Sequence, residues 1–196
     1  LRGKIPPIPG VNLLPSTDSG SFAKSPLLNE YVASSDFSIF IGDLSKNSAT
    51  SIAISDAIKN SDKPVLLTRD SIDLIGPEMV NIIERDNLFV VGSMAQLQKL
   101  FRSVYYPKMI LLSQPLLPVV ETLHKFTLSY PVTILTFHQD QIIVANGGKI
   151  ITMPIESTTY NPLSLWNGEL AAKIALNNLY TPGKPLEATT FAIGQI

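Results

Sequence analysis

The chain has 196 residues, of which 45% are hydrophobic and 16% charged, and its formal net charge is −1. This balance provides no basic stripe for a phosphate backbone, so it predicts no nucleic-acid partner. The absence of cysteine excludes a disulfide framework and thiolate chemistry, and two isolated histidines predict no metal site. Because no apolar run approaches the ~18 residues that span a bilayer, we expect no membrane partner and a cytoplasmic protein.

An extended N-terminal arm is predicted over residues 1–33, since the first 25 residues are rich in Pro, Gly and Ser. Residues 34–196 alternate between short apolar runs and longer segments with helical spacing, which indicates one α/β domain. A strand is expected over residues 37–42. The helix after it begins at Asn47 or Ser48 and carries three apolar residues inward, namely Ile54, Ala57 and Ile58.

The same strand-helix unit is predicted twice more. Residues 64–67 form the next apolar run, and Pro77 is suited to the first position of a helix. The inner side of that helix is predicted to carry Met79, Val80, Ile82 and Ile83. Residues 88–91 form a third strand. Ser93 and Gln96 have capping-box spacing, which predicts that another helix begins directly after this strand.

The second half is predicted to contain an antiparallel hairpin. A strand over residues 108–113 and a helix over residues 118–128 come first. Three closely spaced strands follow, over residues 132–137, 141–145 and 149–153. Gly147 and Gly148 lie between the last two strands, which predicts a tight turn with positive φ.

Two further helices are predicted near the C-terminus. One has an apolar stripe formed by Leu170, Ala171, Ile174, Ala175 and Leu179, and the other covers residues 185–193. Together the units predict a mostly parallel sheet that helices cover on both faces, with an antiparallel hairpin at one edge.

Polar residues follow several of the predicted strands, at the edge where ligands bind in parallel α/β sheets. Asp43 and Ser45 follow the first strand, where they either line a crevice or cap the loop. Asp70 follows the second strand and either binds a hydroxyl or magnesium, or caps the next turn. Arg69 either pairs with a phosphate or forms a surface salt bridge. His138 follows a late strand, either touching a ligand or lying on the surface.

A second candidate feature is the start of the helix after residue 166. Gly168 opens this helix and Glu169 stands in its first turn. Backbone N–H groups at such a position bind anions. Glu169 is either a general base or an acid that only interacts with the helix dipole.

These segments, taken in order, resemble the carbohydrate-kinase-type domain of ADP- or ATP-dependent NAD(P)H-hydrate dehydratases, in the ribokinase-like superfamily. Residues 40–45 resemble the family's glycine turn and keep Gly42. Residues 64–73 resemble its strand with two acids, of which Asp70 is kept and Thr68 replaces the first. The resemblance covers about residues 34–194. It implies a ribokinase-like three-layer α/β/α fold, a site for ATP or ADP with Mg²⁺, and an NAD(P)H-hydrate substrate.

Several functional positions of that family are changed in this chain. Ser93 and Gln96 fall where the family has histidine and glutamate, and His138 falls beside the place of a lysine-glycine pair. The positions that the resemblance assigns to substrate or nucleotide binding are Gly42, Asp43, Asp70, Ser93, Gln96, His138, Asn167 and Gly168. Glu169 takes the place of the catalytic aspartate. Its longer side chain displaces the carboxylate by about a bond length, a change that costs on the order of 10²-fold in rate.

Three functional hypotheses remain open. The preferred one is a ribokinase-like domain with degenerate catalytic motifs that serves as a structural or regulatory module. The second is a working nucleotide-dependent NAD(P)H-hydrate dehydratase, a carbon-oxygen lyase, and the third is a nucleotide-binding module without turnover. Because the family's opening strand has no counterpart before Asp36, we also expect a homo-oligomer or a protein partner that completes the sheet.

Overall fold

The computed structural model describes residues 9–16, 25–42, 44, 47–157, 163, 165 and 167–194. These residues form a six-stranded sheet whose spatial order follows the chain. The four parallel strands are β1 (Ser38–Phe40), β2 (Val65–Thr68), β3 (Leu88–Ser93) and β4 (Thr133–His138). The antiparallel strands at one edge are β5 (Gln141–Asn146) and β6 (Lys149–Pro154). The predicted mixed sheet with an edge hairpin is therefore confirmed.

Helices cover both faces of this sheet. On one face lie α2 (Ser48–Lys59), α3 (Asp70–Ile75), α4 (Met94–Ser103) and α5 (Leu116–Ser129), and on the other lie α6 (Glu169–Tyr180) and α7 (Pro185–Gly194). The alternation of side chains along β2 separates the two cores. Val65 and Leu67 pack with the first set of helices, whereas Leu66 packs with the second. The result is the predicted three-layer α/β/α arrangement.

The N-terminal arm is not extended throughout, because helix α1 occupies Pro26–Ser34. Ser25 caps it, since its Oγ accepts a hydrogen bond from the Leu27 N–H at 3.3 Å, and Pro26 stands in the first turn, where its missing N–H costs nothing. Helix α1 contacts α2. The prediction of an extended conformation is therefore wrong over this stretch, and residues 1–8 and 17–24 lie outside the described residues.

The connection after β2 contains a helix directly after the strand as well as a helical segment at Pro77. Helix α3 starts directly after the strand, and Pro77 lies in a separate 3₁₀ segment, Gly76–Asn81. Met79 is buried as predicted, as are Ile82 and Ile83. Val80 is 47% exposed, so its predicted inward position is wrong. The tighter 3₁₀ winding changes the spacing of the inner face, which explains this difference.

The predicted strand over residues 108–113 is absent, and the segment runs as irregular chain beside α4. Ile110 is fully buried. The side-chain Nε2 of Gln98 donates a hydrogen bond to the Ile110 carbonyl oxygen at 2.6 Å. A side chain therefore satisfies the carbonyl that a neighbouring strand would otherwise bind.

The C-terminal half agrees well with the sequence pattern. Gly147 and Gly148 have φ of 54° and 76°, as the predicted hairpin turn requires. The predicted helices are present as α5, α6 and α7. The buried stripe of α6 ends at Ala175, because Leu179 is 45% exposed. Within the described ranges, no helix has the length and apolar character needed to cross a bilayer.

Candidate functional site

The candidate site lies where the parallel strands end. Gly42 follows β1, Arg69 follows β2, and Ser93 and His138 are the last residues of β3 and β4. Parallel strands in register bring these ends to one edge of the sheet. Helix α6 contacts β1 and β2, and Gly168 before its first turn lies against Ile41, the residue after β1, so the helix starts near the same edge.

Arg69 alone makes the turn from β2 into α3. Its backbone has φ 53° and ψ −135°, a conformation that suits glycine and costs other residues about 1–3 kcal/mol. Gly42 lies beside it, and a Cβ on that glycine would stand 3.4 Å from the Arg69 Cβ and 3.5 Å from its guanidinium carbon. The strained turn thus directs a cationic side chain across the end of β1.

Ser71 fixes the ends of the first two strands. Its Oγ lies 2.7 Å from the carbonyl oxygens of Phe40 and Thr68, and it accepts a hydrogen bond from the Thr68 N–H at 3.0 Å. The hydroxyl is fully buried. Sequence reasoning did not single out Ser71, because its contact with the Phe40 carbonyl joins residues 31 positions apart.

Gln96 connects the capping box of α4 to the strained turn. The predicted capping box is confirmed: Ser93 Oγ accepts from the Gln96 N–H at 3.3 Å, and Gln96 Oε1 accepts from the Ser93 N–H at 3.0 Å. In addition, Gln96 Nε2 donates to the Arg69 carbonyl oxygen at 2.8 Å and to Asp73 Oδ2 at 3.3 Å. Both polar atoms of this amide are therefore engaged within the protein.

A cleft of about 530 Å³ borders this network on the side of α2 and α3. Asp73 and Lys99 form an ion pair and both line the cleft, together with Ser48 at the start of α2. Sequence reasoning missed Asp73 and Lys99. Asp73 lies three residues after Asp70, and Lys99 three after Gln96, so helical spacing on the candidate residues was the available signal.

Asp70 is the first residue of α3 and is half-buried. In that position its carboxylate interacts favourably with the dipole of the helix. This placement agrees with the capping interpretation, and the binding of a hydroxyl or magnesium by Asp70 stays a prediction.

The start of α6 requires a glycine. Gly168 has φ 82°, and a Cβ there would lie 2.7 Å from Ile41 Cδ1. Asn167 Oδ1 accepts a hydrogen bond from the Glu169 N–H at 2.9 Å. One of the backbone donors that an anion would use is therefore already bound by the chain itself.

Glu169 is turned to its own helix. Its carboxylate lies 2.9 Å from Lys173 Nζ, one turn further on, and half of its side chain is exposed. The hydrogen bond and the charge of Lys173 lower the pKa of Glu169, and Asn167 lowers it further. A general base is most effective with a pKa near the working pH, so this environment disfavours that role.

Thr68 lies in β2 on the face that α6 covers, because Val65 and Leu67 belong to the opposite core. Its side chain is fully buried, and its Oγ1 has no hydrogen-bond partner in the described part of the chain. Buried hydroxyls normally have a partner, so this orphan group at the candidate site calls for an explanation.

His138 is 2% exposed, so the surface position considered for it is wrong. Its Nε2 donates to the carbonyl oxygen of Gln114 at 2.8 Å, which fixes the ring against the segment that leads into α5. The ring is shielded because this irregular segment covers the end of β4. Asp43 and Ser45 lie outside the described residues. Within the described residues, no cluster of three or more potential metal ligands occurs.

No protein-family model matches the chain, and no curated protein matches it. Among solved structures, the chain is similar to a ribokinase-like superfamily protein from Enterococcus faecalis, with a TM-score of 0.60 and 11% sequence identity. The alignment covers 84% of this chain and 55% of the other, so the chain spans just over half the length of that structure. At this identity the likeness concerns the fold. The chain therefore has a ribokinase-like α/β fold.

Proposed function

We propose that the chain is a non-catalytic ribokinase-like module with a structural or regulatory role, descended from NAD(P)H-hydrate dehydratases. The observation that carries the proposal is the position of Glu169, which stands where the resemblance expects the catalytic acid. Its carboxylate pairs with Lys173 at 2.9 Å, which lowers the pKa of Glu169 and so makes the carboxylate a weaker base. Such a group serves helix α6 and is poorly prepared to exchange protons with a substrate.

The hydrogen bonds of Gln96 support the same proposal. This residue stands where the family has a glutamate, and its amide is shared among Ser93, Arg69 and Asp73. A substrate would have to break these bonds in order to use the amide. The polar groups at this edge thus stabilise the domain, which suits a structural module.

An activity assay tests the proposal. The purified chain is supplied with NAD(P)H-hydrate, Mg²⁺ and either ADP or ATP, and the formation of NAD(P)H is followed by absorbance. We expect no turnover. The alternative, a working nucleotide-dependent lyase, requires turnover that Glu169→Gln abolishes. Glu187→Gln is the matched control, because Glu187 is also an acid in the first turn of a helix, α7.

Nucleotide binding without turnover is a second candidate function, and the orphan hydroxyl of Thr68 favours it. This hydroxyl lies on the sheet face that the glycine-opened helix α6 covers, where a phosphate of ADP or ATP would find backbone donors. Mg²⁺ would accompany the nucleotide.

Calorimetric titration with ADP and ATP, with and without Mg²⁺, tests this second function. If a nucleotide uses the Thr68 hydroxyl, Thr68→Val reduces the binding heat. Thr136→Val is the matched control, because Thr136 also has a buried hydroxyl without a partner among the described residues but lies on the opposite face. Equal heats from both variants, or no heat at all, would contradict nucleotide binding at this position.

The partner that we expect to complete the sheet would pair with the outer side of β1, the first strand of the sheet. This strand has three residues and pairs with β2 on one side. A protein partner or another copy of the chain would add a strand there. Limited proteolysis and hydrogen exchange of β1, with and without a captured partner, would test this expectation.

A further inference from the structure

The outer side of helix α5 carries a regular exposed stripe. Leu117, Glu121, His124 and Leu128 follow one another at intervals of four, three and four residues, and all four are exposed. Leu117 is 66% exposed and Leu128 is 63% exposed. Intervals of four and three place side chains in one narrow line along a helix, the pattern by which helices pack on other helices.

The order of residues along this stripe is self-complementary. Suppose that two copies of α5 pack antiparallel through their exposed sides, with a two-fold axis that crosses the helices at the level between Thr122 and Leu123. Leu117 of one copy then faces Leu128 of the other. The same axis places Glu121 opposite His124, with Lys125 adjacent. One axis therefore aligns both the apolar pair and the acid-base pair, as an isologous interface requires.

The segment that leads into α5 carries further exposed apolar side chains. Met109, Leu111 and Leu112 are 54%, 47% and 62% exposed. Their backbone is held in place, because Ile110 is fully buried and the Leu111 N–H donates to Gln114 Oε1 at 2.9 Å. A stable dimer usually buries ~800 Å² on each partner, more than one narrow stripe offers, so this rigid apolar segment would supply additional contact area.

The charges around the stripe also favour packing against a second copy of the chain. Lys108 approaches Lys125 closely, and the hydrogen bond and repulsion between them lower the pKa of Lys108, an effect that Glu121 of the same chain partly offsets. Glu121 of a second copy would bring a carboxylate to Lys125 and to His124. The His124 ring is already oriented, because its Nδ1 lies 2.5 Å from the Gly148 carbonyl oxygen.

We propose that the outer stripe of α5 is the interface with a second copy of this chain, packed antiparallel about a two-fold axis, with residues 109–112 at its flanks. A second copy fits this surface because the stripe matches its own reverse in both apolar character and charge.

Light scattering coupled to size exclusion tests this interface with charge reversals. The unmodified chain is expected at twice its 21.4 kDa mass over a concentration series. Glu121→Lys and Lys125→Glu each juxtapose like charges and are expected to give monomers. An equimolar mixture of the two variants is expected to restore the dimer, because each unlike contact is then attractive. Leu176→Lys, a change at an exposed leucine of α6, is the control and should remain dimeric.

The absence of cysteine permits a second test of the direction of packing. A mixture of Leu117→Cys and Leu128→Cys chains is expected to form a disulfide-linked heterodimer under mild oxidation, because the antiparallel axis brings these positions together. Each variant alone is expected to form little of the linked product. The proposal would be overturned if the unmodified chain were monomeric or if its dimer survived both charge reversals. It would also be overturned if each cysteine variant alone formed as much disulfide-linked dimer as the mixture.

Discussion

Gln96 donates from its side-chain amide to the carbonyl oxygen of Arg69, 27 residues earlier, at 2.8 Å. This bond joins the capping box of α4 to the single strained residue between β2 and α3. The bond thereby links the start of α4 to the end of β2, two features that are each fixed by local hydrogen bonds or backbone geometry, at one edge of the sheet. Ser93 and Gln96, two residues that the sequence offers to a ligand, are in this way hydrogen-bonded within the fold.

Replacing Gln96 should destabilise the chain. Gln96→Ala removes the bonds to Ser93, Arg69 and Asp73, and we expect a loss of about 1 kcal/mol in the free energy of unfolding, since the half-buried carbonyl of Arg69 and carboxylate of Asp73 each lose a hydrogen-bond donor. Urea unfolding measures the change. Gln96→Glu keeps the acceptor of the capping box but places a carboxylate beside Asp73, so it separates the two contributions. A Gln96→Ala variant as stable as the original chain would contradict this role.

The strain at Arg69 predicts an unusual order of stabilities. Arg69→Gly and Arg69→Ala both remove the side chain, but only glycine adopts φ 53° and ψ −135° at low cost. We expect Arg69→Gly to be more stable than Arg69→Ala by about 1 kcal/mol, the lower end of the usual energetic cost of such backbone strain. Thermal unfolding of the two variants compares them directly. The opposite order would mean that the turn is unstrained in solution.

The orphan hydroxyl of Thr68 predicts a stabilising substitution. Thr68→Val keeps the shape of the side chain and removes a buried polar atom without a partner in the described residues, so stability should rise by about 1 kcal/mol. The free energy of unfolding in urea provides the measurement. Destabilisation by Thr68→Val would show that the hydroxyl has a partner in solution, such as a bound anion or water.

The ion pair of Glu169 predicts a pH dependence. Because Lys173 lowers the pKa of Glu169 in the folded chain, the pair contributes stability above the pKa of Glu169 in the unfolded chain. That contribution is lost as the pH falls through the lower pKa of the folded chain. The difference in stability between the original chain and Glu169→Gln should therefore be present at neutral pH and vanish in strong acid. High salt should reduce it, because the carboxylate is exposed.

Glu187→Gln is the control for this pH series, since Glu187 lies in the first turn of a different helix. Both substitutions remove one acid from a helix start, but only Glu169 has a lysine partner one turn later in the described structure. A pH profile that is the same for both variants would assign the effect to the helix dipole alone.

Local patterns in the sequence predicted the parts of this fold that depend on near neighbours. The capping box of Ser93 and Gln96 and the glycine turn after Asn146 each need only a few adjacent residues. The pattern placed a helix start at Pro77, but this residue lies in a separate 3₁₀ segment after α3, because the positive φ of Arg69 lets the chain turn into a helix directly after the strand.

The candidate site depended more on distant contacts. The ends of the parallel strands were predicted to within two residues, but the bonds from Gln96 to Arg69 and Asp73 span 27 and 23 residues. The burial of His138 depends on the irregular segment before α5, which the sequence pattern indicated as a strand. Such contacts arise only when elements far apart in the chain pack together, so the residue types alone did not indicate them.

The most direct measurement is the conversion of NAD(P)H-hydrate by the purified chain in the presence of ADP or ATP and Mg²⁺. The position of Glu169 against Lys173 predicts no formation of NAD(P)H above the rate without protein. Turnover that Glu169→Gln abolishes and Glu187→Gln preserves would contradict a non-catalytic module and identify Glu169 as a working catalytic group.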